Sequence, residues 1–214
     1  MKRQLLEGLS AEEITRGMRL CESNANELYE DAETLRNANR LARAYTLYQL
    51  AIEEIGKVRM LGSLFYSLKL NKEIDYKKAD KNFLSHQPKT KESVGFEQIV
   101  VMLIYSNEED ETKREQLKQY FQELSDEETR TAVYNDFKNI SLYVSVNDGF
   151  FVSPKEVITS EMVDQIRTSA TIRLRSLSSM IQILTDENIV LSIEKIANDP
   201  EYKFDKDMVE LFNV

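Results

Sequence analysis

One cysteine, one histidine, three prolines, six glycines and no tryptophan in 214 residues exclude several kinds of protein at the outset. With Cys21 alone, one chain can build neither a disulfide framework nor a cysteine-rich zinc site, and a reducing, cytoplasmic compartment fits. With His86 alone, no Glu-x-x-His pair exists, so a di-metal helical bundle is ruled out and no cofactor is expected. Scarce proline and glycine disfavour a many-turned β-fold and suit long helices. Gly-rich phosphate loops and the Gly-x-Ser-x-Gly nucleophile turn are missing. The longest strongly apolar run, Ile99 to Tyr105, is too short to span a bilayer, and the N-terminal apolar run is too short for a signal peptide, so no membrane partner is expected. A net charge of −9 repels phosphate at long range, so any contact with RNA must be local.

What remains is a globular balance of 42% apolar and 30% charged residues, enough for one core. The expectation is a single all-α domain over residues 1–214. Ser10-Ala-Glu-Glu13 reads as a capping box, followed by Ile14, Met18, Cys21, Ala25, Leu28, Ala32 and Leu35 at helical spacing, a first helix over about Ala11 to Arg36. Cys21 on that seam reads as a core thiol. After Asn37-Ala-Asn39 a second helix reaches about Tyr66 and is apolar nearly all round, which makes it the centre of a bundle. On it, Arg43, Glu54 and Lys57 fall within a stripe of about 60°, with Glu53 alongside. Charges on a buried helix must be paired or functional. Glu53 and Lys57 at i, i+4 read equally as a simple salt pair.

Between Lys69 and Lys91, seven lysines oppose Glu73, Asp75 and Asp80, a basic island that reads as a solvated face or an RNA track. A helix over about Asp75 to Ser85 is expected to end before Pro88, leaving His86 at its C-terminal end, with a separate short buried helix over 94–106. Residues 108–128 carry nine acids against three bases, a solvated face with no assigned function. Ser125-Asp-Glu-Glu128 reads as a second capping box, leading a helix to about Ile140. LYVSVNDGFFVSP, residues 142–154, reads as a hairpin turning at Asp148-Gly149. From Thr159 a long helix is expected, then a shorter one around 187–198.

Three segments together, ARAYTLYQLAIEEIGKVRML at 42–61, FLSHQPK at 83–89 and the hairpin followed by Glu156-Val-Ile-Thr159, resemble the AbiV family of abortive-infection proteins, within the HEPN superfamily. The resemblance implies an all-α, HEPN-like helical bundle with a small β-hairpin insertion. It also implies a phage-defence effector that shuts down translation as a metal-independent ribonuclease. The alternative is a non-enzymatic helical module that docks a phage or host protein. The implied partners are a second copy in a homodimer, RNA as substrate, and a phage-encoded protein trigger. The superfamily's pattern is an arginine and a histidine with four to six residues between them. Here Lys81, with four residues between it and His86, stands in the arginine's place, a point charge without the bidentate fork. The implied catalytic set is His86, Lys89, Lys81, Glu54 and Lys57, with Arg43, Glu53, Lys77 and Lys78 on the substrate.

Overall fold

The structure, a computed structural model, describes residues 5–129, 131–186 and 188 of the chain. Ser10 accepts a hydrogen bond from the Glu13 backbone N–H at 3.2 Å and opens α1, Ala11–Asn37. Asn39, at φ 56°, then occupies the left-handed region that asparagine tolerates, closing the end of α1 before α2, Leu41–Lys69. The remaining elements are α3 (Tyr76–Leu84), α4 (His86–Asn107), α5 (Glu111–Thr129), α6 (Thr131–Leu142), the strands β1 (Ser145–Asn147) and β2 (Phe150–Val152), α7 (Pro154–Val157) and α8 (Ser160–Thr185). The protein is all-α apart from that antiparallel hairpin, in which Val146 pairs with Phe151. Asp148 and Gly149, both at positive φ, form its two-residue turn, the geometry that matches strand twist.

Helix α2 is the axis of the bundle, as its all-round apolarity requires, and α1, α4, α6 and α8 pack against it. Toward one end, Ile14, Met18 and Cys21 of α1 meet Ile55, Val58 and Leu61 of α2 and Leu177 and Ile181 of α8. Toward the other, Ala32, Tyr45, Tyr48, Ile52, Val163, Ile166 and Ala170 form a second core. A third, smaller one joins Val94 and Val101 of α4 to Phe121 and Leu124 of α5. Burial, then the nearby Glu54 charge, pushes the Cys21 thiol up to about 12, so it stays protonated as a core residue. An ion-pair clasp ties three helices: Glu33 of α1 accepts from the Tyr48 hydroxyl at 2.5 Å and from Arg167 of α8 at 2.5 and 3.2 Å. Hydrogen bonding by Arg167 holds the Glu33 carboxyl below its ordinary value, and burial pushes the Tyr48 hydroxyl up.

Two boundaries differ from the sequence expectation. Pro88 does not end a helix. Ser85 is extended, and a new helix starts at His86 and runs unbroken to Asn107, replacing the expected short helix over 94–106. Proline is tolerated there because the first-turn N–H groups have no partner within a helix, so its missing donor costs nothing. The helix expected to open at Ser125 does not start there; Ser125 lies inside α5, whose first turn is bonded by Asp110 accepting from the Thr112 and Lys113 N–H groups at 2.9 and 3.2 Å. The helix expected around 187–198 lies outside the described residues, Asn188 excepted.

Helices α2 and α4 approach closely at Gly56. A Cβ added to Gly56 would lie 1.8 Å from the Lys89 carbonyl oxygen, a backbone atom that no rotamer change can move. Gly56→Ala is therefore expected to cost at least about 2–3 kcal/mol despite alanine's better helix propensity. A Cβ on Gly17 would meet only the tip of the Leu61 side chain at 3.3 Å, and Gly17→Ala should be near neutral. Urea denaturation of the two variants checks the contrast; equal midpoints would refute the α2–α4 contact.

Candidate functional site

His86 is the first residue of α4, and its ring reaches Glu53 of α2. Its Nδ1 lies 2.6 Å from Oε2 of Glu53. The same carboxylate meets two ammonium groups, Lys138 of α6 at 2.8 Å on Oε1 and Lys89 of α4 at 3.3 Å on Oε2. The Glu53, Lys138 and Lys89 side chains are only 3%, 5% and 8% exposed, whereas the His86 ring is 53% exposed. One buried carboxylate thus anchors a surface imidazole over two buried cations. Two ammonium donors make the carboxylate an acceptor, so Nδ1–H donates to it and Nε2 is left toward solvent.

Further polar contacts extend the cluster inward along one stripe of α4. The Thr90 hydroxyl donates to the His86 carbonyl at 3.4 Å and accepts from Gln49 Nε2 at 3.0 Å. Ser93 donates to the Thr90 carbonyl at 2.7 Å and accepts from Arg173 Nη1 of α8 at 3.2 Å. Arg173, fully buried, donates from Nε to Glu97 at 2.6 Å, and Glu97 also accepts from the Tyr120 hydroxyl of α5. Buried charges are tolerated here because each is met by an opposite charge or a hydrogen bond.

Two segments singled out in the sequence prove to be one contact. In EEIGK, Glu53 meets His86 and Lys89, Gly56 admits the Lys89 carbonyl, and the Lys57 ammonium lies 5.6 Å from the Phe83 ring centre. The geometry brings His86, Lys89 and Glu53 together and leaves the rest of the expected set outside. Glu54 and Lys57 pair with each other at 2.5 Å, on the side of α2 that faces Cys21. The salt pair expected between Glu53 and Lys57 therefore does not form, because Glu53 turns toward α4 and α6. Arg43 is exposed and lines a cleft at the α1–α2 corner, away from the Glu53 cluster. Lys77, Lys78 and Lys81 are exposed on α3 and form no ion pair with the cluster.

Sequence reasoning passed over Lys138. The signal was present: Phe137, Lys138 and Ser141 fall on one helical face, and a lysine on the inward face of a helix needs a carboxylate. Among the described residues, no group of three or more His, Cys, Asp or Glu side chains is placed to hold a metal ion, and no helix is long and apolar enough to cross a membrane.

The two glutamates of EEIGK should separate sharply. Glu53→Ala leaves two buried ammonium groups uncompensated and is expected to cost on the order of 3–5 kcal/mol. Glu54→Ala breaks a part-buried i, i+3 pair and is expected to cost no more than about 1 kcal/mol. Chemical denaturation orders the two; a Glu54 variant as damaged as the Glu53 one would contradict the assignment.

No curated protein and no solved structure matches this chain. The model of the HEPN-type AbiV family matches residues 13–175, which takes in α1 through most of α8 and every residue of the His86 cluster. The chain belongs to the AbiV family of the HEPN superfamily, with an abortive-infection role.

Proposed function

We propose that this protein is a phage-defence effector that shuts down translation by cleaving RNA without a metal ion. The observation that carries the reading is the Glu53–His86 pair, a half-exposed imidazole whose Nδ1 lies 2.6 Å from a buried carboxylate. His86 Nε2 takes the proton of a ribose 2′-hydroxyl. The resulting oxygen attacks the adjacent phosphorus, the P–O5′ bond breaks, and the products are a 2′,3′-cyclic phosphate and a 5′-hydroxyl that has gained a proton. Lys89 and Lys138 place two positive charges beneath the ring at low dielectric, which favours the charge building on the phosphoryl oxygens. Lys81 on α3 adds a mobile charge in the place where relatives carry arginine, with weaker clamping than a guanidinium fork. A second copy related by a two-fold axis supplies the second histidine needed to protonate the leaving oxygen while the first acts as base.

Purified protein incubated with total RNA in excess EDTA tests this reading. The expected result is persistent cleavage to cyclic-phosphate ends, reduced at least about a hundredfold by His86→Ala, with light scattering giving a dimer. Intact RNA under every condition, including added phage lysate, would leave the protein a non-enzymatic docking module; a monomer would remove the shared-histidine step.

A further inference from the structure

A second site lies at the opposite side of the α1–α2 corner from the Cys21 core. It is an open cleft of about 1270 Å³ between the α1–α2 turn, the end of α6 and the start of α7. Arg40, Arg43 and Lys155 line it, all three exposed, and none forms an ion pair among the described residues. No aspartate or glutamate lines it, in a chain that carries 37 acids against 28 bases. Glu156, next to Lys155, accepts from the Ser153 N–H at 2.7 Å, and Asp164 pairs with Arg36 at 2.7 Å.

Both feet of the β1–β2 hairpin, Leu142 and Ser153, are part of the cleft wall. Phe150 and Phe151 are 75% and 82% exposed, and Tyr143 and Val146 are exposed as well. Phe151 pairs with Val146 and Phe150 with Asn147, so the two phenylalanines stand on opposite faces of a ribbon that is open to solvent on both sides. Isolated three-residue strands with bare aromatic faces bury little on their own.

We propose that the cleft and hairpin form a binding site for single-stranded RNA, with the phosphates held by Arg40, Arg43 and Lys155 and unpaired bases stacked on Phe150 and Phe151. Cations tracking a backbone beside exposed aromatic rings are what sequence-tolerant binding of a single strand requires, since every base presents a stacking face. Three unpaired cations form the local attraction that a chain of net charge −9 needs to overcome long-range repulsion. The choice of RNA over another polyanion rests on the ribonuclease reading; the binding itself does not.

Fluorescence anisotropy with a labelled 2′-O-methyl single strand, which lacks the attacking hydroxyl and cannot be cleaved, separates binding from catalysis. The expected binding has a log–log salt slope of about −2, from three phosphate contacts at about −0.7 each. Arg40→Ala/Arg43→Ala/Lys155→Ala should abolish that slope and weaken binding at low salt by at least about tenfold. Phe150→Ser/Phe151→Ser should weaken it by about tenfold with the slope unchanged, and a duplex of the same sequence should bind more weakly than the single strand. Lys77→Ala/Lys78→Ala on α3 should leave affinity as it was. Wild-type affinity in the cleft variant, or loss of binding in the α3 variant instead, would overturn the proposal. So would a phenylalanine variant that keeps RNA affinity and loses self-association, which would make the hairpin a protein interface. Circular dichroism confirms folding, since all the replaced side chains are on the surface. RNA cleavage by wild type alongside failed binding here would sink the cleft and spare the His86 site.

Discussion

The Glu53 carboxylate is the interaction on which the rest depends. It is almost fully buried, and it is tolerable there only because His86, Lys89 and Lys138 all meet it. Those partners come from the first turn of α4 and from α6, so one carboxylate fixes how two helices sit on α2. Gly56, one turn on, lets the α4 backbone come close enough for Lys89 to reach Glu53. The spacing of the glutamate and the glycine in EEIGK is therefore one requirement, a carboxylate and a bare backbone facing the same turn of α4.

That arrangement gives a surface histidine a rigid setting. Its backbone carbonyl is joined through Thr90 to Gln49, and the α4 stripe continues through Ser93 to Arg173 and Glu97. Displacing the ring means disturbing charges in a low-dielectric interior, which costs far more than turning a solvated side chain. A polar network through the middle of a bundle weakens the core if any member is unsatisfied. Here Gln49 Oε1 is a buried atom without a partner among the described residues, so the network carries some of that cost.

The fold was readable because helical spacing and caps are local properties. Ser10, Asn39 and the Asp148-Gly149 turn each mark a boundary within a few residues, and α1, α2, the hairpin and α8 fall where their patterns place them. Local rules misled where two readings of one residue compete. Pro88 stops a helix from inside yet sits comfortably in a first turn, and nothing in its neighbours decides between the two. The candidate site was legible in part. His86, Lys89 and EEIGK stood out, but a helical wheel groups Arg43, Glu54 and Lys57 by angle without knowing which neighbour covers which side. Glu53 and Lys138 meet across 85 positions of sequence, a pairing that no single-helix pattern contains.

Because His86 is the only histidine in the chain, its imidazole gives one isolated spin system, and the ring's state can be read without assignment. Long-range proton–nitrogen correlation of uniformly labelled protein reports which nitrogen carries the proton. The account predicts the Nδ1–H tautomer in the neutral ring, the reverse of the preference of a free histidine side chain, and its loss in Glu53→Gln. An Nε2–H tautomer that the substitution leaves unchanged would contradict the claim that a buried carboxylate orients His86.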